Sequence, residues 1–389
     1  MPKFLLPLIL CFGLSSGLLL VWQKHHSDQP LSLISPFIEY HIQELPLQKY
    51  SIPNLKNYPY QASEITILEQ QTTQTEATEF SSYTFSYQTF NQKMTGLLNL
   101  PKKVEDTTDS NAAALPVIIL IRGWVPAESY YPGMGTSHAG QTFAKHGYAT
   151  LAIDFFGYGG SDPEPEDSWK ARFIKPINII ELILSLQQQP QLTLPDGQTL
   201  TLNSDQLGIW AHSNGGQIAL TTLEITSQPI PTTLWAPVTA PFPYSILFFS
   251  DENEDEGKEM RAWLAIFEKK YDVFDFSLTQ HLDLLTGPFQ IHHGLADEAA
   301  LPAWSIEFLQ KIDQENEQRR EKLGEETTPE PTATEGSTAE QYFINIETPT
   351  EPIQYEFFQY PGADHNLQPI ESWNQAIARD LEFFATELR

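Results

Sequence analysis

The chain has 389 residues, 41% hydrophobic and 12% aromatic, so it is long enough to bury the core of one large domain with appendages. Its formal net charge of −28 argues against binding of nucleic acid or of an anionic membrane surface by the globular part. Because Cys11 is the single cysteine, no disulfide forms within the chain, and packing must stabilise the fold.

The first segment is almost wholly apolar from Phe4 to Trp22, with Lys3 before it and Lys24 after it. This length is sufficient to cross a bilayer, and the positive charge on its N-terminal side predicts that the following domain faces away from the cytoplasm. We therefore expect a transmembrane anchor at residues 1–24. A cleaved signal peptide, with a secreted product, is the competing interpretation.

Residues 25–62 are rich in proline and polar groups and are expected to form a stalk with little fixed structure. From Ile65 to Leu100 the sequence alternates in the manner of strands, which predicts an antiparallel edge to a sheet. We expect residues 63–389 to form one domain.

Further along, short apolar strands alternate with helical segments. Strands are predicted at residues 117–121, 149–153, 207–210, 232–235, 289–292 and 354–359. Helices are predicted at residues 140–146, 175–188, 216–227, 302–320 and 372–388. This alternation predicts an α/β fold with a mostly parallel central sheet, helices on both faces, and functional groups at the carboxyl ends of the strands.

The most informative motif is WAHSNGG at residues 210–216, between a predicted strand and a predicted helix. In G-x-S-x-G motifs the serine lies at a sharp, strained turn, so the residues two places before and after it must be small. Ala211 and Gly215 occupy these places. The motif predicts that Ser213 is a nucleophile and that the amide of Asn214 faces the developing oxyanion. An ordinary turn is the alternative interpretation.

A nucleophilic serine needs a base and a carboxylate that orients the base, in the chain order Ser, Asp or Glu, His. Asp297 follows a predicted strand and a glycine-bearing turn, and His365 follows the last predicted strand. We predict that Asp297 is the acid and His365 the base. Each residue alone is also consistent with a helix cap or a loop position, and Glu298 and Asp364 are the rival acids.

Two insertions interrupt the alternation of strands and helices. Residues 241–286 are expected to form a helical cap over the site, and a surface helical hairpin with its own small core is the alternative. Their aromatic residues are Phe242, Tyr244, Phe248, Phe249, Trp263, Phe267 and Tyr271. Residues 322–352 are rich in Glu, Thr and Pro and are predicted to be an acidic disordered loop.

Two stretches invite a metal interpretation. Residues 251–257 are acidic but lack the glycine and glutamate spacing of an EF-hand loop. His292 and His293 have no partner ligands at suitable spacing, which favours packed strand histidines. We therefore expect no metal and no organic cofactor.

Taken in order, these motifs resemble the catalytic domain of the prolyl oligopeptidase family of serine peptidases, within the α/β-hydrolase superfamily. Residues 94–101 resemble the family's entry strand, residues 116–123 its third strand with the oxyanion loop, and residues 154–161 the glycine-rich turn after the fourth strand. Residues 212–216 resemble its elbow and residues 293–297 its acid turn. The resemblance extends from about Ile65 to the C-terminus.

The sequence departs from this family in two places. Family peptidases often carry a tyrosine in the oxyanion loop, whereas the matching residues 120–124 contain none. The second oxyanion donor is then expected to be the backbone amide of Gly123 or Trp124, with the nearby Tyr130 and Tyr131 as the alternative. The N-terminal β-propeller of the family's large peptidases also has no counterpart in the sequence.

The motifs and the resemblance together predict a serine hydrolase that cleaves amide or ester bonds through a triad of Ser213, His365 and Asp297 and an acyl-enzyme intermediate. A carboxylesterase of the same fold is the near alternative, and a non-catalytic binding protein with the hydrolase fold is the alternative of another class. The expected partners are a small-molecule ester or peptide substrate and a membrane, but not nucleic acid. The sequence does not indicate an oligomeric state.

Overall fold

A ten-stranded sheet lies at the centre of the described part of the chain. The computed structural model describes residues 45–71, 79–102, 114–251, 254–325 and 348–389. The domain begins at Leu45 and continues to Arg389.

The strands take a different order in space from their order in the chain. They are β1 (Thr66–Gln71), β2 (Phe80–Thr89), β3 (Gln92–Pro101), β4 (Leu115–Ile121), β5 (Ala149–Ile153), β6 (Gln191–Thr193), β7 (Thr199–His212), β8 (Thr232–Trp235), β9 (Phe289–Gly294) and β10 (Tyr355–Tyr360). The spatial order is β1-β2-β3-β5-β4-β7-β8-β9-β10, with β6 paired only to β7. Pairing is antiparallel from β1 to β5 and parallel from β5 to β10, as the sequence predicted.

Helices occupy the connections between the strands. They are α1 (Ile52–Leu55), α2 (Ser137–Lys145), α3 (Ser168–Phe173), α4 (Lys175–Gln188), α5 (Asn214–Thr226), α6 (Tyr244–Ser250), α7 (Lys258–Glu268), α8 (Pro302–Glu325) and α9 (Ile370–Glu387). The bounds of α4, β5 and β8 are those that the sequence predicted, whereas β6, α1 and α3 were not predicted.

Strand β4 shows why the sheet is covered on both faces. Ile119 and Ile121 pack into a hydrophobic cluster with residues of α4 and α5. Ile118 and Leu120 pack into a second cluster with Phe143 of α2 and residues of α9. Successive side chains of a strand point to opposite faces, so a strand that is apolar at every position requires helices on both sides.

The stalk predicted at residues 25–62 does not include residues 45–62. Tyr50, Ile52 and Leu55 are buried in the main hydrophobic cluster, so residues 45–62 belong to the domain. These apolar side chains alternate with polar ones in a proline-containing stretch, which is why the sequence predicted a linker. The remainder of the predicted stalk, residues 25–44, lies outside the described residues.

The prediction of a membrane-anchored protein is contradicted. A helix needs about 20 consecutive apolar residues to cross a bilayer, and no helix among the described residues has both the length and the apolar character for this. The 24-residue helix α8 is long enough but rich in charged side chains. The predicted localisation, a membrane-anchored domain that faces away from the cytoplasm, is contradicted by the same finding. The segment at residues 1–24 lies outside the described residues.

The region predicted as a cap contains α6, α7 and short turns of 3₁₀ helix. Phe242 and Phe267 are buried against Phe173 of α3, with ring centroids 5.6 and 5.9 Å from it, so part of the region is continuous with the main core. Tyr244 and Trp263, in contrast, remain exposed. Of the predicted acidic loop, residues 326–347 lie outside the described residues.

Candidate active site

Ser213 lies at the sharp turn between β7 and α5. Its backbone dihedral angles are φ 56° and ψ −124°, a strained conformation for a residue with a side chain. The turn is held in place because the Ser213 amide donates to the Trp235 carbonyl at 2.9 Å. The Ser213 carbonyl in turn accepts from the amides of Gly216 and Val238 at 2.9 and 3.0 Å. The neighbouring strand β8 and the segment after it therefore fix the turn.

Small residues are needed on both sides of this turn. A Cβ atom at Gly215 would clash with the backbone carbonyls of Ile121 and Arg122, and Ala211 is fully buried. A Cβ atom at Gly123 would lie 2.7 Å from the Cβ of Ser213. The sequence motif identified the requirement at Gly215, whereas the close approach of Gly123 to the serine is visible only in the fold.

Asp297 and His365 are brought together from the ends of β9 and β10. Asp297 Oδ2 lies 2.8 Å from His365 Nδ1, and Oδ1 accepts from the amides of Ala299 and Ala300, each at 2.9 Å. Burial raises the pKa of Asp297, but the hydrogen bonds from His293 and His365 and from the Ala300 amide outweigh it and hold the pKa well below its ordinary value. Asp297 is therefore an ionised carboxylate that accepts a hydrogen bond from Nδ1–H of the His365 ring.

A second histidine contacts the same carboxylate. His293 Nε2 lies 3.2 Å from Asp297 Oδ2 and 2.8 Å from the Ala300 carbonyl, and Nδ1 lies 2.8 Å from Ser305 Oγ. Since the first two partners only accept, Nε2 carries the proton and Nδ1 accepts from the Ser305 hydroxyl. The sequence predicted a packed strand histidine here. Its position four residues before Asp297 was the one available signal for this contact.

His212 connects the serine turn to the loop of His365. Its Nε2 lies 3.0 Å from the main-chain carbonyl of His365, which only accepts, so His212 donates. Burial and the neighbouring His365 ring lower the pKa of His212 to about 4, which keeps the ring neutral near pH 7. No hydrogen bond joins Ser213 Oγ to the His365 ring among the described residues. The structure thus brings His365 to Asp297 and to the neighbour of Ser213, but not into hydrogen-bond contact with Ser213 itself.

The loop after β4 contains the predicted oxyanion donors. Arg122 donates to the Gly123 carbonyl at 2.9 Å and to the Asp154 carbonyl at 2.7 Å, and its guanidinium lies 4.0 Å from the ring centroid of Tyr158. In a trans peptide the carbonyl and the next amide point in opposite directions, so the bond to Arg122 also orients the amide of Trp124. Trp124, which belongs to this loop, is 75% exposed.

The two tyrosines considered as alternative donors differ in their surroundings. Tyr130 donates to the Asp154 carboxylate at 2.6 Å, and burial together with that carboxylate raises its pKa. Its hydroxyl proton is therefore already engaged. Tyr131 is exposed.

The rival acids Asp364 and Glu298 and the candidate metal ligand His292 have other surroundings. Asp364 accepts from the amides of Asn366 and Gln368, which shapes the loop of His365, and Glu298 is exposed. His292 is buried between Tyr360 and Asp380. Within the described ranges, no group of three or more His, Cys, Asp or Glu side chains is arranged to hold a metal ion.

The sequence matches no protein-family model and no curated protein. The structure, in contrast, is similar to solved structures. With an acetyl xylan esterase from Paenibacillus sp. R4 the TM-score is 0.53 at 12% identity, over 86% of this chain and 98% of the esterase. With acetyl xylan esterase 1 from Thermoanaerobacterium sp. JW/SL YS485 it is 0.52 at 10% identity, over 86% and 92%. With a puromycin-hydrolyzing peptidase from Mycobacterium tuberculosis it is 0.50 at 12% identity, over 77% and 38%.

These likenesses define the class of fold. The domain has the α/β-hydrolase fold, and both peptidases and acetyl xylan esterases are among its structural neighbours, which confirms the resemblance at the level of the fold. The chain spans less than half of the peptidase, whereas it spans nearly all of each esterase. At 10–12% identity the similarity extends to the fold and not to an activity.

Proposed function

We propose that this chain is a serine hydrolase that cleaves ester or amide bonds of small substrates. The observation that carries the proposal is the hydrogen bond between Asp297 and His365. The main-chain carbonyl of His365 also accepts a hydrogen bond from His212, the residue before the strained Ser213. A carboxylate, an imidazole and a half-buried serine at the carboxyl ends of β9, β10 and β7 are the three groups that acyl transfer requires.

In the proposed mechanism, Ser213 Oγ attacks the substrate carbonyl while His365 Nε2 takes its proton. The ionised Asp297 accepts from His365 Nδ1, which fixes the tautomer that leaves Nε2 free as a base. A side-chain rotation of Ser213 or His365 closes the contact between them, since catalytic hydrogen bonds often tighten only when substrate binds. The bond to the leaving group then breaks, and His365 gives the proton to the departing alcohol or amine. Water attacks the resulting acyl-enzyme while His365 takes its proton, and that proton returns to Ser213 Oγ as the acid is released.

Two backbone amides are assigned to the oxyanion. The amide of Asn214 is the first of α5 and has no intrahelical acceptor, and the amide of Trp124 is oriented by the bond between Arg122 and the Gly123 carbonyl. The amide of Gly123 is the alternative second donor. Removing one such donor costs about 3 kcal/mol of transition-state stabilisation in enzymes of this type.

Ester cleavage is the better-supported form of this activity. Two solved structures that this chain covers almost completely are described as acetyl xylan esterases, whereas the puromycin-hydrolyzing peptidase is much longer than the chain. A peptidase activity on short peptides is the second candidate.

Labelling with a fluorophosphonate tests the nucleophile. The wild-type protein and a Ser129→Ala control, changed at an exposed serine, are expected to be labelled, and Ser213→Ala is not. Equal labelling of Ser213→Ala and the wild type would overturn the assignment. Parallel assays with p-nitrophenyl esters and aminoacyl anilides then separate an esterase from a peptidase, and turnover of neither substrate class favours a non-catalytic binding protein.

A further inference from the structure

A cavity lies along α5, the helix that begins after Ser213. Its wall includes Asn214 and Gln217 from the first turns of α5 and Arg172 and Lys175 from the junction of α3 and α4. Asn214 follows Ser213 in the chain, so this wall of the cavity is one residue from the proposed nucleophile, although Ser213 itself does not line the cavity. The rest of its wall is mostly apolar.

Arg172 and Lys175 also line a second cavity of about 240 Å³. The outer wall of this cavity comes from the cap, with Ile246 of α6 and Met260 and Trp263 of α7. The two cations therefore lie between the cap and the elbow helix α5. A substrate group that enters beneath the cap would meet them on the way to the N-terminal end of α5.

Neither cation forms an ion pair with a carboxylate in the described part of the chain, although the charge of Glu164 acts on Lys175. Arg172 Nη2 donates to the neutral amide oxygen Gln217 Oε1 at 3.0 Å, and Lys175 Nζ lies 5.8 Å from the ring centroid of Phe155. Among the described residues, neither cation forms an ion pair, although Glu164 shares the wall of the larger cavity. The chain has 50 Asp and Glu residues against 22 Lys and Arg, so two unpaired cations side by side are unexpected for its composition.

Both cations are half-buried, and a ligand can offset the unfavourable part of this burial. Burial lowers the pKa of Arg172 to about 10 and that of Lys175 to about 8. Taking a cation out of water without a partner is unfavourable, and an anion that binds between the two side chains restores the lost interactions. An arginine beside a lysine combines a planar set of donors with a compact charge, which suits a carboxylate.

We infer that Arg172 and Lys175 form a subsite beside Ser213 that binds a substrate carboxylate. The inference rests on the proposed function, because it names the substrate class of the same site. The carboxylate is carried either by the acyl group or by the leaving group, and matched pairs of esters separate these two placements.

The kinetic test uses two such pairs. For the acyl side, the mono-p-nitrophenyl ester of adipic acid is compared with p-nitrophenyl hexanoate. For the leaving-group side, 4-carboxyphenyl hexanoate is compared with 4-carbamoylphenyl hexanoate. We expect the wild-type protein to prefer the charged ester in one pair by about tenfold or more in kcat/KM, and Lys175→Gln or Arg172→Gln to remove that preference.

The matched control is Lys258→Gln in the cap, where the side chain is 74% exposed and lies outside both cavity walls. This variant changes the net charge by the same amount and is expected to keep the preference. Equal kcat/KM within both pairs, or a preference that survives Lys175→Gln and Arg172→Gln, overturns the inference.

A binding measurement separates this inference from the proposed function. Adipate is titrated calorimetrically into Ser213→Ala protein, in which no turnover occurs, and we expect Lys175→Gln to weaken its binding about tenfold. If no ester is hydrolysed, the proposed function fails and adipate binding alone decides whether the subsite exists. If esters are hydrolysed but adipate neither binds nor competes, the subsite fails and the proposed function stands.

Discussion

His212 Nε2 donates a hydrogen bond to the main-chain carbonyl of His365 at 3.0 Å, and the centroids of the two rings lie 4.7 Å apart. The residue that precedes the proposed nucleophile thus holds the loop that carries the proposed base. These two residues are 153 positions apart in the chain, so the contact couples two distant segments at one edge of the sheet. Within the proposed mechanism, His212 is a positioning residue that does not itself exchange a proton.

Replacing His212 tests this positioning role. His212→Leu removes the donor, and we expect kcat to fall by up to about 100-fold because small displacements of a catalytic group are costly. His212→Gln places an amide donor near the same point and is expected to restore most of the rate. Hydrolysis of a p-nitrophenyl ester is measured together with the thermal unfolding midpoint. Equal rates for the two variants at similar unfolding midpoints would contradict the role.

The lowered pKa values of His212 and Asp297 predict that the free energy of unfolding decreases in two separate pH ranges as the solution is acidified. The pKa of His212 is lowered from 6.5 to about 4 by burial and the neighbouring His365, so the unfolded chain takes up a proton in that range that the folded one does not. The free energy of unfolding therefore declines as the pH falls from 6.5 to about 4, by at most about 3 kcal/mol. The pKa of Asp297 is held below its ordinary 3.8, so its stabilising contribution is present above that pH and is lost only further into the acid range.

Urea unfolding as a function of pH separates the two contributions. His212→Gln is expected to flatten the decline between pH 6.5 and 4, whereas Asp297→Asn is expected to flatten the decline below pH 3.8. A His212→Gln profile with the wild-type slope in the upper range would show that the histidine titrates normally.

The sequence predicted those parts of the fold that have a strong local pattern. Helix α4 and strands β5 and β8 are apolar runs bounded by polar or proline-containing turns, and their predicted bounds were right. Helix α3 has six residues, too few for a helical period to be visible, although Asp167 caps it by accepting from the amides of Trp169 and Lys170. The helix that carries Arg172 was therefore missed.

Some contacts of the candidate site could also be predicted from the sequence, whereas others could not. The order of serine, acid and base, each after a strand, predicted the contact between Asp297 and His365, because parallel strands bring their carboxyl ends to one edge. The contacts of His212, His293 and Arg122 depend on how loops from different strands meet. No local spacing encodes them, except that His293 precedes Asp297 by four positions.

The close approach of Gly123 to the serine gives a further prediction. A Cβ atom at residue 123 would lie 2.7 Å from the Cβ of Ser213 and 3.2 Å from its Oγ. Gly123→Ala must therefore displace the loop that carries the proposed oxyanion donor, and we expect kcat/KM for an ester to fall about 100-fold. Gly147→Ala is the matched control, because a Cβ atom there meets no atom within 4 Å although the backbone has a φ of 99°. It is expected to lower the unfolding midpoint while leaving kcat/KM unchanged, and an equal loss of rate in both variants would contradict the argument.

The charge of Lys175 makes the preference for carboxylate substrates depend on pH. Burial lowers its pKa to about 8, Glu164 opposes this shift, and Arg172 and Arg122 add to it. The side chain is therefore charged below pH 8 and neutral above it, so the ratio of kcat/KM for the charged ester to that for its neutral partner falls as the pH rises through about 8. The requirement for a general base affects both esters equally and cancels in this ratio.

Lys175→Arg is the control for this pH dependence, because a guanidinium stays charged across the same range. We expect its ratio to remain level where that of the wild-type protein declines, measured with the two esters in the same buffers at constant ionic strength. A wild-type ratio that stays level through pH 8 would mean that Lys175 does not bind the carboxylate in its charged form, and the anion would then have to be bound by Arg172 alone.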